Sequence, residues 1–144
     1  LKDVIKQIDV LTINDEEARL LSGEHSLRKA AKTILQMGPK YLIIKKGEHG
    51  ALLFGDNNIF YAPALPLEEV FDPTGAGDTF AGGFVGHLST CDSINWEAMK
   101  KAIIVGSAMA SFTVEKFGIE RLIDLDENQI KERINEFKKL VSFN

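Results

Sequence analysis

Residues 72–84 read Asp72-Pro73-Thr74-Gly75-Ala76-Gly77-Asp78-Thr79-Phe80-Ala81-Gly82-Gly83-Phe84. Small residues at Gly75, Ala76 and Gly77 leave backbone N–H groups uncovered where a helix begins. There the unpaired donors and the helix dipole together attract an anion. The hole is the size of a phosphate. Asp78 follows at once, and a carboxylate in such a place repels phosphate rather than binding it. Its useful role is to accept a proton, as from an alcohol when a phosphoryl group arrives. Phosphoryl transfer asks a protein chiefly for positioning and charge neutralisation, so an anion hole beside one base is a sufficient core. The plainer reading of a bare Gly-x-Gly-Asp is a tight turn with the aspartate as a helix N-cap.

Downstream, a glycine-rich helix is expected from Gly75 to His87, with Phe80, Phe84 and Leu88 at i, i+4, i+8. Gly82, Gly83 and Gly86 cost helix propensity, so close approach of another element is the expected compensation. Trp96, Met99, Ile103, Ser107, Ala110 and Val114 mark a long helix, and the small residues of its centre, Gly106 to Ser111, predict tight packing. Asp126 and Gln129 make a capping box for a last helix with the apolar stripe Ile130, Ile134, Phe137 and Val141.

Upstream, Ile8 to Ile13 is rich in β-branched residues and reads as a buried strand that runs into a helix start at Asn14. A helix is expected over Asp15 to Leu21, stopped by Gly23, and a second from near Ser26 to Gly38. Tyr41 to Lys45, Ala51 to Phe54 and Ile59 to Ala62 are strands separated by turns at Gly47–Gly50 and Gly55–Asn58. Pro63 and Pro66 break regular structure, so Pro63 to Asp72 is a connection. Alternating strands and helices give an α/β fold: a mostly parallel sheet flanked by helices, with an antiparallel meander.

The 144 residues are enough for one domain-sized core without a staple. With 17 Lys and Arg against 21 Asp and Glu, the net charge of −4 argues against nucleic-acid or anionic-membrane partners and for a small molecule. Cys91 stands alone, which fits a reducing compartment, with cytoplasm the default. No apolar run approaches the ~20 residues of a membrane helix. His25, His49 and His87 lack metal-ligand spacing. The chain opens on Leu1 rather than Met, consistent with a piece of a larger protein.

The pattern Asp72-Pro73-Thr74-Gly75-Ala76-Gly77-Asp78-Thr79-Phe80, followed by Ala81-Gly82-Gly83-Phe84, resembles the C-terminal signature of the ribokinase-like (PfkB-type) carbohydrate kinases. The resemblance runs along the chain. Asn14-Asp15-Glu16-Glu17, with Leu21-Ser22-Gly23 beyond, is similar to the family's Asn-x-x-Glu element, whose Asn and Glu help hold Mg²⁺ and the triphosphate, largely through water. Asn14 with Glu17 is also an ordinary capping box, and the two roles can coexist. Lys45-Lys46-Gly47-Glu48-His49-Gly50 is similar to the family's Gly-x-x-Gly turn over the nucleotide, and alone reads as a hairpin loop. Ala102 to Val114 resembles the helix that walls the adenine pocket, where helix packing is the competing explanation. Asp72 and Thr74 sit where some members place a monovalent cation such as K⁺.

The resemblance implies the C-terminal, nucleotide-binding and catalytic portion of a ribokinase-like fold over residues 1–144, without the N-terminal half that carries substrate-gripping residues and the β lid. It implies an ATP-dependent phosphotransferase, a carbohydrate kinase acting on a hydroxyl of a sugar or related small alcohol. Asp78 would be the base, and the amides of Gly75, Ala76 and Gly77 would hold the transferred phosphoryl group. Asn14, Lys45, Gly47, Gly50, Gly75 and Gly77 would bind nucleotide. Glu17 and Asn14 would steer Mg²⁺, and Asp72 and Thr74 a monovalent cation. The β lid also dimerises in this family, which implies a homodimer for a longer protein. A non-catalytic nucleotide-binding module is the alternative from another class, and a nucleoside or vitamin-alcohol kinase is a variant of the first. A chain without the lid is expected to bind nucleotide better than it catalyses, and to self-associate through an exposed sheet edge.

Overall fold

The computed structural model describes residues 1–68, 74–115 and 120–143. They form two compact units, Leu1–Ala62 and Pro63–Asn144. The first contains helix α1 (Lys2–Ile5), strand β1 (Val10–Asn14), helices α2 (Asp15–Ser22) and α3 (Leu27–Leu35), strand β2 (Tyr41–Lys45), a 3-10 turn (Gly47–His49) and strands β3 (Ala51–Gly55) and β4 (Asn58–Ala62). The second contains α4 (Ala76–Ser89), α5 (Trp96–Thr113), α6 (Glu120–Ile123) and α7 (Glu127–Val141).

The four strands stand in the order β1-β2-β3-β4. β1 and β2 pair in parallel, while β2–β3 and β3–β4 are antiparallel. The sheet is therefore mixed, and in this chain its parallel part is the single β1–β2 pair. A parallel pair needs a crossover, and α2 and α3 supply it. They set Ala18, Ala31 and Ile34 against Leu42, Ile44 and Phe54, with Leu11, Ile13, Leu21 and Leu52 packed around them. Ile34, Leu42 and Ile44, fully buried, each gain about 1.5–3 kcal/mol from burial. Tyr41 to Ile44 are all buried, which is why β2 reads as a continuous apolar run rather than an alternation.

β1 begins two residues later than its β-branched run suggests, because the Asp9 carbonyl is already occupied by the N–H groups of Lys40 and Tyr41, both at 2.9 Å. α3 ends at Leu35 rather than at Gly38. A Cβ on Gly38 would lie 2.6 Å from Lys6 Cα, so the glycine there admits the chain that leaves α1. At the β3–β4 hairpin Asp56 and Asn57 both take positive φ (49° and 59°), the type I′ geometry that matches strand twist.

In the second unit α4 lies against α5 by removing side chains at the crossing. A Cβ on Gly83 would meet Met109 Cγ at 2.9 Å and Gly106 Cα at 3.1 Å. This is the close approach expected of the glycine-rich helix and the small-residue centre of α5, but among the three glycines expected to need it only Gly83 meets a neighbour, while Gly82 and Gly86 face open space. Phe80 and Phe84 stack at 6.1 Å between ring centroids, one turn apart on the buried side of α4. α7 starts on the expected capping box, with Asp126 accepting from the Gln129 N–H at 2.8 Å and Gln129 from the Asp126 N–H at 3.0 Å. Phe137 anchors its apolar stripe, but Val141 at the far end is exposed. No helix among the described residues is long and apolar enough to cross a membrane.

Candidate functional site

Asn14 and Lys45 are the last residues of β1 and β2 and stand opposite one another in the parallel register. Both strands thus leave the sheet at one carboxyl edge, the edge at which α/β sheets bind ligands. α2 starts there. The Asn14 side chain accepts from the Glu17 N–H at 2.7 Å, and Glu17 Oε2 accepts from the Asn14 N–H at 2.9 Å, so the reciprocal capping box is formed. One oxygen of each side chain is committed to backbone, and the exposed Glu17 keeps a second carboxylate oxygen, Oε1. In the same turn Arg19 donates to Asp15 at 3.1 Å, and that bond holds the Asp15 carboxyl below its ordinary range.

Beyond Lys45 the chain enters the Gly47–Gly50 turn. Gly47 has φ +57° and Gly50 has φ +84° with ψ −152°, a region that only glycine occupies readily. Lys46 N–H donates to the Gly50 carbonyl at 2.8 Å, and the Tyr61 hydroxyl of β4 donates to the His49 carbonyl at 3.1 Å. Asn14, Glu17, Lys45, Gly47 and Gly50 therefore gather at one end of the first unit.

Thr74, Gly75, Ala76, Gly77 and Asp78 gather in the second unit, at the N-terminus of α4. Gly75 is its N-cap, with φ +81°, and no side chain caps the helix. By contrast Asn14, Ser26, Asn95 and Asp126 each cap a helix through a side-chain oxygen. Asp78 is not the N-cap but the third helical residue, with an exposed side chain. The arrangement leaves the N–H groups of Ala76, Gly77 and Asp78 at a helix terminus beside a solvent-accessible carboxylate, which fits an anion and a proton acceptor together. Asp72, the second expected cation ligand, lies outside the described residues.

The carbonyl of Gly75 accepts twice from Thr79, from its N–H and from its hydroxyl, both at 2.9 Å. The Thr79 hydroxyl in turn accepts from that of Thr113, the last residue of α5, at 2.9 Å. Sequence does not mark Thr113, since nothing in spacing sets it apart from Ser107 and Ser111, the other hydroxyl residues of α5. Arg133 of α7 braces the same end of α5. Its guanidinium donates to Ser111 Oγ at 2.7 Å, pairs with Glu115 and lies 4.0 Å over the Phe112 ring.

Residues 1–124 match the pfkB family of carbohydrate kinases. A cytidine kinase from Thermococcus kodakarensis is 31% identical over 120 residues, covering 82% of this chain and 41% of its own length. A ribokinase from Staphylococcus aureus is 33% identical over 135 residues, covering 89% of this chain and 43% of its own. The crystal structure of aminoimidazole riboside kinase from Salmonella enterica, complexed with aminoimidazole riboside and an ATP analogue, superposes with a TM-score of 0.78 at 26% identity, over 92% of this chain and 44% of that one. The chain thus spans less than half the length of these relatives, and its α/β fold is ribokinase-like. On the match over residues 1–124, the chain belongs to the pfkB family of carbohydrate kinases.

Proposed function

We propose that this chain is the nucleotide-binding and phosphoryl-transfer portion of an ATP-dependent kinase that acts on a hydroxyl of a sugar, nucleoside or similar small alcohol. The observation that carries the reading is the start of α4: a helix N-terminus without a side-chain cap, opened by Gly75, with the Asp78 carboxylate in its first turn. In this reading the acceptor hydroxyl gives its proton to Asp78 as its oxygen bonds to the γ-phosphorus. The bond from that phosphorus to the bridging oxygen breaks, and ADP leaves. The amides of Gly75, Ala76 and Gly77, with that of Asp78 beside them, meet the charge on the transferred group with donors that need no rearrangement. The relatives named for ribose and cytidine, and the riboside kinase bound to an ATP analogue, support both the acceptor class and the donor.

Glu17 and Asn14 fit a Mg²⁺ held through water rather than by direct ligation. Each already gives one oxygen to the capping box, and Mg²⁺ keeps several waters when few carboxylates are offered. When bound, Mg²⁺ supplies charge neutralisation on the phosphate oxygens. In this reading Lys45, Gly47 and Gly50 bind nucleotide, and Thr74 with Asp72 would hold a K⁺ ion. The protein works in the cytoplasm.

Calorimetric titration of this chain with MgATP tests the reading, with Glu17→Ala as the comparison and ADP release from a panel of sugars and nucleosides as the second arm. Binding that weakens in Glu17→Ala is expected. Asp78→Asn is expected to lower turnover by about 10²–10⁴-fold with nucleotide affinity kept. Absence of MgATP binding by the wild-type chain overturns the reading, and undiminished turnover in Asp78→Asn removes the aspartate as the base.

A further inference from the structure

We propose that Thr113 is a positioning residue for the anion hole: its hydroxyl, acting through that of Thr79, fixes the plane of the Gly75–Ala76 peptide and so aims the Ala76 N–H. The inference rests on the phosphoryl-transfer reading of α4. The Gly75 carbonyl can only accept, so the single proton of the Thr79 hydroxyl is spent on it at 2.9 Å. The Thr79 oxygen is then an acceptor towards α5, and Thr113 fills it at 2.9 Å. Thr113 is 4% exposed, so its hydroxyl is a polar group buried where α4 and α5 meet.

A trans peptide is planar, with its C=O and N–H pointing in opposite directions. Holding the Gly75 carbonyl down into the helix, towards Thr79, therefore turns the Ala76 N–H outward from the helix terminus. The restraint matters at this peptide more than at others. Gly75 at φ +81° has no Cβ to limit its rotation, and no side-chain cap holds the first turn of α4. A threonine bonding back to the carbonyl four residues earlier needs no second hydroxyl. The second one links the hole to the far end of another helix, and Arg133 holds that end through Ser111 and Glu115.

Thr113→Val keeps the branched shape and removes the hydroxyl, and Thr113→Ser keeps the hydroxyl. Two quantities are read on the whole chain: the ¹⁵N order parameter of the Ala76 amide without ligand, and calorimetric affinity for ATP against AMP. In Thr113→Val the order parameter is expected to fall from a rigid value near ~0.85 towards ~0.6. ATP affinity is expected to drop about fivefold, the worth of one hydrogen bond, with AMP affinity unchanged. Thr113→Ser is expected to restore both. An Ala76 amide equally rigid in Thr113→Val overturns the proposal, as does failure of serine to rescue. Should the wild-type chain bind no ATP, the phosphoryl-transfer reading is what fails, and the Ala76 order parameter still decides the role of Thr113. If Thr113→Val does not fold, Thr79→Val breaks the same relay from α4 and is judged by the same order parameter.

Discussion

Gly106 of α5 takes the backbone of Phe80 into the space where a side chain would stand: a Cβ at 106 would lie 2.7 Å from the Phe80 carbonyl oxygen and 3.1 Å from its ring. Phe80 is two residues beyond Asp78, so this contact sets the depth at which the first turn of α4 sits on α5. Backbone cannot swing aside as a flexible side chain can. Gly106→Ala gains about 1 kcal/mol of helix propensity but overpacks the crossing by about 1–3 kcal/mol. The expected outcome is a net loss in urea unfolding, with a lower midpoint and an unchanged slope. A midpoint at or above that of the wild type would refute the tight crossing.

Gly82 and Gly86 share α4 with Gly83 but not its reason. Apart from its chain neighbours and the backbone of α4 itself, no described heavy atom lies within 4 Å of a Cβ built on either of them. Alanine at each site is therefore expected to stabilise this chain by about 1 kcal/mol, and Gly83→Ala, which would press on Met109 and Gly106, to destabilise it. Thermal melts of the three single variants check the order. If all three melt below the wild type, the open side of α4 is misassigned.

Tyr41 supplies a pH dependence. Burial pushes its hydroxyl above the ordinary 10.0, and the bond it donates to Asp56 Oδ2 at 3.0 Å adds to the effect. A raised value in the folded state means that the folded chain holds the proton longer than the unfolded one. The contribution is then complete below about pH 10 and is lost as pH rises through the folded value. Tyr41→Phe is expected to be less stable at neutral pH by about 1 kcal/mol, the lost hydrogen bond, and to show a flatter decline as pH rises above about 10. Urea midpoints across that range give both numbers, and parallel declines would remove Tyr41 as the source.

Legibility from sequence followed the kind of signal each feature carries. The β2–β4 meander, the capping boxes at Asn14 and Asp126 and the glycine crossing of α4 on α5 are local or periodic patterns, and they formed where expected. α1 and α6 have four residues each, about one turn, which is too short for an apolar period to declare itself. The edges of β1 and α3 depended on Asp9 accepting from Lys40 and Tyr41, and on Gly38 meeting Lys6, contacts between segments far apart in sequence. The residues expected to bind phosphate are backbone donors, so a short glycine pattern suffices to point to them. Thr113 and Arg133, which support that pattern, act across 34 and 22 residues, on Thr79 and Ser111, and neither spacing nor composition marks them.

Arg133 is only 11% exposed in its side chain, and besides a looser pairing with Glu136 at 3.7 Å its one planar group makes three closer contacts. It donates to Ser111 Oγ, pairs with Glu115 and covers the Phe112 ring. An ammonium is a point charge that cannot fork between two acceptors while stacking on a ring, so lysine is not a conservative replacement. Arg133→Lys is expected to cost about 1–3 kcal/mol, in the range of hydrogen bonds made by charged groups. Urea unfolding of Arg133→Lys and Glu115→Gln, singly and together, measures the coupling. Additive losses would mean that the pair contributes nothing of its own.

Gly75→Ala tests the anion hole through the backbone alone. A Cβ there would find Thr113 Cγ2 at 4.0 Å, an ordinary contact, so space is not the obstacle. The cost is the left-handed φ of +81°, about 1–2 kcal/mol for a residue with a Cβ. In the free chain alanine can relieve that strain by rotating to negative φ, which, with the Gly75 carbonyl held by Thr79, turns the preceding peptide and takes the N–H of residue 75 away from the start of α4. Binding a phosphate chain then requires the strained form to be restored, and the affinity falls by its reduced population. The expected result is a five- to thirtyfold loss for ATP, the factor that corresponds to about 1–2 kcal/mol. AMP, which lacks the outer phosphates, should lose little. Equal losses for ATP and AMP would place the damage in the whole fold rather than at the hole, and no loss for either would show that the N-terminus of α4 does not bind the outer phosphates.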